Sequence, residues 1–196
     1  MSLFLTIFAG CQSRDKALTT YVLKIKKEKV RIGVLPFDNI SKEPDAAKAI
    51  TQVVISKILQ KGVFEVVELG EINKVMRDLR MRTSVEGLDN VTLRKLGKAL
   101  KTDLILWGQV DNFGETRIGQ ESYPAISLTI RLIHATSGKI LWGSSATQTG
   151  NDSIILFDIG RVSTLNKLSQ VVVGKMINSL FASRKKIVSA IETIVE

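Results

Sequence analysis

Between Ala125 and Ala135 the chain alternates apolar and polar residues: Ile126, Leu128, Ile130 and Leu132 against Ser127, Thr129 and Arg131. Successive side chains of a strand point to opposite faces, so this period of two demands a sheet with one face covered and the other polar. Ser137-Gly138 then makes a tight turn into Lys139-Ile140-Leu141-Trp142-Gly143-Ser144-Ser145-Ala146, and the two strands pair as a hairpin.

The rest of the chain supplies further strands and the cover. Val30 to Phe37 is a short apolar run closed by Pro36, which reads as a buried strand, followed by a loop at Asp38-Asn39 and Ser41. A helix opens at Pro44-Asp45-Ala46-Ala47 and carries Ile50, Val53, Val54, Ile58 and Leu59 at helical spacing to its stop at Gly62. Phe64 to Leu69 predicts a second strand, and Glu71 to Arg80 a helix with Ile72, Val75, Met76 and Leu79 on one face. Residues 82–90 read as loop, and Thr92 to Leu100 as a third helix turning Leu93, Leu96 and Leu100 inward. Asp103 to Val110 is the clearest strand, separated by a polar stretch from the alternating one. A long amphipathic helix from near Gly160 closes the chain with Leu165, Leu168, Val172, Met176, Ile177 and Leu180, and Lys185 to Val195 extends it or adds a separate helical tail. That order predicts an α/β chain with one mixed sheet under helices.

The start of the chain has a different character. Leu5-Thr6-Ile7-Phe8-Ala9-Gly10-Cys11 resembles the lipobox of bacterial lipoprotein signal peptides, in which the peptide is cut before a cysteine that is then acylated. Ala9 and Gly10 are small enough for a peptidase to grip extended backbone beside the scissile bond, and Leu3 to Phe8 is apolar but far too short to span a bilayer. Met1-Ser2 supplies no basic n-region, so on the lipoprotein reading the true start lies upstream; on the alternative, Cys11 is a small buried hydrophobe near a chain end. Residues 12–29 are polar and basic, as a tether would be, and 18 such residues reach on the order of 60 Å when extended. More than one acyl chain on Cys11 would hold the protein firmly on a membrane. Gln12 stands where an aspartate would signal inner-membrane retention, so the resemblance favours the outer membrane.

Composition narrows the functional classes. One cysteine excludes an internal disulfide, so folding rests on the apolar core. The net charge of +9 is spread along the chain apart from Lys24-Ile25-Lys26-Lys27-Glu28-Lys29 and Arg184-Lys185-Lys186. The first cluster fits a solvated linker, with anionic headgroups or cell-wall polymer as the alternative partner. Nucleic acid is not an expected partner for an exported chain.

Three segments stand out together: Ile32-Gly33-Val34-Leu35-Pro36-Phe37-Asp38-Asn39-Ile40-Ser41, Leu96 to Val110, and Leu132 to Trp142. They resemble, in that order, the opening strand and loop, the helix-turn-strand and the hairpin of a known superfamily, that of CsgG, the TolB amino-terminal domain and LpoB. The resemblance implies a single three-layer α/β/α domain with a mixed sheet over residues 30–182, after a signal at 1–10 and a lipidated tether at 11–29 and before a helical tail at 183–196. It also implies a non-catalytic outer-membrane lipoprotein facing the periplasm. The task would be envelope assembly through a protein partner, as secretion support of the curli type or activation of a cell-wall synthase (a penicillin-binding protein). The alternative is a subunit of a homo-oligomeric CsgG-type secretion channel or collar. Against a channel, Asn112 to Tyr123 and Gly150 to Ile159 are too short for paired membrane strands of ~9–11 residues each.

Chemistry offers little else. One histidine and one cysteine make no metal centre without relying wholly on carboxylates, and no cofactor motif is present. His134 reads as a turn or surface residue, and Gly33 as a point of close packing. Asp38 and Asn39 are candidate contacts above the sheet or, more simply, loop caps. Trp107 and Trp142 share the motif Leu-Trp-Gly; they are candidate partner contacts or, more simply, cover sheet against helices beside crowding-relieving glycines.

Overall fold

The structure, a computed structural model, describes residues 30–81, 89–152, 162–187 and 189. Cys11, the signal at 1–10, the tether at 11–29 with its lysine cluster, and most of the Gly150 to Ile159 segment lie outside the described residues.

The strands are β1 (Val30–Val34), β2 (Asp38–Asn39), β3 (Phe64–Val66), β4 (Leu104–Ile118), β5 (Glu121–His134) and β6 (Ile140–Thr149). Between and after them come α1 (Ala46–Lys61), α2 (Leu69–Asp78), α3 (Asn90–Leu100) and α4 (Leu165–Ala182). The sheet runs β3-β1-β4-β5-β6, with β2 also on β4. Pairings among β1, β2, β3 and β4 are parallel, whereas β4-β5 and β5-β6 are antiparallel, so the sheet is mixed as expected.

The pleat divides the core in two. Leu104, Leu106, Ile126, Leu128, Ile130 and Leu132 meet α1 and α4 through Ile50, Val54, Ile58, Val172 and Met176. On the opposite face Ile105, Trp107 and Ile133 meet α2 and α3 through Ile72, Met76, Leu93, Leu96 and Leu100. The domain is therefore a three-layer α/β/α sandwich. The alternating positions Ile126, Leu128, Ile130 and Leu132 are all fully buried. Each fully buried side chain of that size is worth about 1.5–3 kcal/mol over its exposed state, which is why the pattern governs the strand.

Local chemistry sets the element ends. Pro36 has no N–H to give the sheet, and β1 stops short of it. The next amide, Phe37 N–H, donates to Thr51 Oγ1 at 3.1 Å, and that hydroxyl donates to Ala47 O in α1. Gly62 caps α1 with φ of 67°, a left-handed conformation for which glycine carries no Cβ penalty. Asp89 and Thr164 cap α3 and α4 by accepting from Thr92 N–H and Lys167 N–H.

Several sequence expectations need correcting. The polar stretch after Val110 is strand: β4 and β5 continue as a two-stranded ribbon to a turn at Gly119, whose φ is 64°. On its β4 side, Asn112 to Ile118, every residue is exposed or half-buried, so polar residues serve there, while the β5 side buries Tyr123, Ala125 and Ile126. Asp38-Asn39 is the short strand β2, registered on Gln109 and Val110. The expected second strand ends at Val66, since Val67 is the last residue tied to β1 and α2 begins at Leu69. His134 is buried, with Nδ1 and Ser137 Oγ 2.9 Å apart and its backbone N–H donating to Lys139 O across the hairpin turn. The closing helix begins at Leu165, some residues after Gly160.

Candidate functional site

The chain breaks between β1 and β2 and lays Phe37, Asp38 and Asn39 against the middle of β4. There Asp38 Oδ2 accepts from Trp107 Nε1–H at 3.1 Å, a buried bond between residues 69 apart in sequence. Two of the four sequence-nominated contacts are thus brought together. Asn39 works locally: Oδ1 accepts from Ser41 N–H at 3.1 Å and from its hydroxyl at 2.7 Å, while Nδ2 donates to Glu43 O at 2.8 Å. That is the loop cap expected of an Asn at this position.

Trp107 and Trp142 point to opposite faces. Trp142 packs in the α1/α4 core, and Trp107 in the α2/α3 core. Both are under a tenth exposed, so neither ring is a free contact surface. The glycines of the two Leu-Trp-Gly motifs differ as well. A Cβ on Gly108 would enter the Phe37 ring, whereas one on Gly143 would meet nothing nearer than 3.8 Å.

Next to Trp107 lies Arg131, which the sequence marked only as a polar position of an alternating strand. Its guanidinium carbon stands 5.2 Å from the Trp107 ring centroid, in range of a cation–π contact worth about 0.5–1 kcal/mol at an exposed site. The stacking leaves the arginine exposed while a buried ring steers it. From there a polar platform extends over β5 and β6. Thr129 and Ser145 hydroxyls are 2.9 Å apart, as are those of Ser127 and Thr147, and Gln109 Nε2 donates to Asp111 Oδ1 at 2.6 Å. Helices α2 and α3 do not reach this part of the sheet: their core contains Ile133 and Ala135 from the β5 end and nothing from β6. The signal for the platform was the Ser127, Thr129, Arg131 alternation itself.

The groups brought together here are hydroxyls, an amide, carboxylates, an indole and a guanidinium, all hydrogen-bonding or charged groups. No group of three or more metal-ligating side chains occurs among the described residues. Of the described carboxylates, Asp89 is held below its ordinary value, chiefly by the Thr92 backbone N–H that it accepts as a helix cap. Among the described residues no helix is long and apolar enough to cross a membrane.

The GNA1162-like lipoprotein family matches residues 22–193, which is most of the chain. The chain belongs to this family. The envelope-lipoprotein resemblance expected from the sequence is met by that membership. The crystal structure of lipoprotein GNA1162 from Neisseria meningitidis aligns with a TM-score of 0.55 and 19% identity, over 79% of this chain and 99% of that one. PelC from Paraburkholderia phytofirmans, solved as a dodecamer, aligns with a TM-score of 0.51 and 15% identity, over 75% and 84% of the two chains. The C-terminal domain of LpoB from Salmonella enterica aligns at 0.47 and 13%, over 64% and 86%. No curated relative matches the chain. At these identities the GNA1162 and PelC likenesses speak for the shared three-layer fold.

Proposed function

We propose that this GNA1162-like chain is a non-catalytic lipoprotein, acylated at Cys11 and held on the periplasmic face of the outer membrane, that presents its α/β/α domain to a protein partner during envelope assembly. Family membership over residues 22–193 carries the proposal, and the Ala9-Gly10-Cys11 pattern just upstream of the matched region supplies the attachment point. The contact surface is the platform of Arg131, Thr129, Ser127, Ser145 and Thr147, steered by Trp107 and Asp38. The Thr129–Ser145 and Ser127–Thr147 hydroxyls pair with each other and Trp107 with Asp38, which suits a polar protein contact. The partner belongs to one of two classes, a secretion component or a cell-wall synthase.

A homo-oligomeric collar is the second reading, favoured by the dodecameric state in which PelC was solved. A membrane channel fits less well. The ribbon beyond Asp111, Asn112 to Ile118 paired with Glu121 to Ser127, falls short of ~9–11 residues per strand and carries Glu115, Arg117 and Glu121.

Mass spectrometry of the mature amino terminus tests the anchor: a diacyl or triacyl Cys11 is expected, and an unmodified one ends the lipoprotein proposal. Pull-down of the acylated protein from membranes, against an Arg131→Glu variant, tests the platform. A partner retained equally by both proteins places the contact elsewhere.

A further inference from the structure

At the end of the sheet opposite the β4–β5 ribbon is a cavity of about 380 Å³. Leu104 and Leu180 form its floor; Phe64 and Phe181, with ring centroids 5.6 Å apart, form one wall, and Val63 stands half-exposed at its mouth. The lining is apolar apart from Arg184, Lys185 and Ser189. Arg184 and Lys185 line this space and are both exposed to solvent.

We infer that this cavity is a binding site for a single-chain anionic amphiphile, with the acyl chain between Leu104, Leu180 and the two phenylalanines and the acidic head against Arg184 and Lys185. The volume lies in the range of small-molecule sites. With roughly 30 Å³ per methylene, about that of a liquid water, it holds roughly a dozen carbons of one chain. Apolar walls favour the tail through the hydrophobic effect, and the cationic edge selects the sign of the head. The chain's own approach to Val30 is a poor occupant. Lys24, Lys26, Lys27 and Lys29 against Glu28 would bring like charge to Arg184 and Lys185. The same lysines add to the positive field that an anionic head would meet.

The test uses the full-length chain carrying Cys11→Ser, kept free of detergent, titrated calorimetrically with laurate below its micelle concentration. Saturable binding of one laurate per chain is expected, with dodecyltrimethylammonium, of equal chain length and opposite charge, at least about tenfold weaker. Arg184→Glu with Lys185→Glu should weaken laurate by about tenfold while leaving the circular dichroism spectrum unchanged. Val63→Trp, placed at the exposed mouth, should block laurate without disturbing the core. Absence of saturable binding, equal affinity for both head groups, or indifference to Val63→Trp would each overturn the inference. So would laurate binding that appears only after removal of residues 1–29 or 190–196, since the cavity would then belong to the chain itself.

Discussion

The twin Leu-Trp-Gly motifs allow a controlled experiment, because the same substitution meets opposite surroundings at its two glycines. Neither Gly108 nor Gly143 has a positive φ, so alanine fits the backbone at both. Replacing glycine by alanine at a compatible position stabilises by about 0.4–1 kcal/mol through the unfolded chain. At Gly143 the new Cβ meets Arg131 Cγ and Ile130 O at an ordinary 3.8 Å, so that gain should survive. At Gly108 the new Cβ lands on the buried Phe37 ring, with Cζ at 2.5 Å and Cδ2 at 2.6 Å. Phe37 has little freedom to retreat: its amide is held by Thr51 Oγ1, and Leu35 and Ile40 on either side bond β4 carbonyls at 2.9 and 3.0 Å. Overpacking of this kind costs about 1–3 kcal/mol, leaving a net loss of up to about 2.6 kcal/mol for Gly108→Ala. For a chain of this length that is a fall in Tm of up to about 10 °C, against no fall or a slight rise for Gly143→Ala. Thermal unfolding followed by circular dichroism reads both, and tryptophan emission reads whether displaced Phe37 drags Asp38 from Trp107. The double variant Gly108→Ala with Phe37→Leu should recover about 1 kcal/mol over additivity, since the shorter side chain vacates the space. Equal Tm changes at the two glycines, or strict additivity with Phe37→Leu, would refute the reasoning that Gly108 exists to admit the Phe37 ring.

Thr102→Val should destabilise by about 1–3 kcal/mol in urea unfolding: its buried hydroxyl donates to Arg31 O at 2.7 Å and accepts from Leu104 N–H, which valine leaves unpaired at the start of β4. Asp89→Asn should narrow its stability gap from wild type at acid pH. The folded carboxyl sits below its ordinary value of 3.8, so its contribution is complete above that pH and disappears as pH falls through the lower folded value. Melting curves from pH 2 to 7 check the sign, and a gap that widens on acidification contradicts the cap. Arg131→Ala should cost no more than about 1 kcal/mol of stability, as expected of an exposed cation–π contact, yet abolish partner capture; a large loss of stability with capture intact would make Arg131 structural.

Burial explains which features were legible in the sequence. Where a strand has one wet face, a slip of one residue would turn every apolar side chain to water. The strict alternation of Ile126, Leu128, Ile130 and Leu132 with polar neighbours therefore assigns both register and core face. Gly62 and Gly138 were readable for a related reason, since positive φ at a helix end or hairpin turn leaves few residues to choose from. The ribbon beyond Val110 was illegible because none of Asn112 to Ile118 is buried and pairing across Gly119 holds that strand, so composition there resembles loop. Asp38 meeting Trp107 was illegible for the opposite reason: both residues were conspicuous, but their contact depends on Pro36 ending β1 and on Gly108 admitting Phe37, two features that act only once β4 lies alongside. The platform follows from the same geometry. Polar alternation on β5 marks a face as wet, but only the positions of α2 and α3 decide that their core does not extend over it. An arginine on such a face is inconspicuous in sequence; here it stands over a tryptophan that a buried aspartate holds in place, and the proposed contact rests on that arrangement.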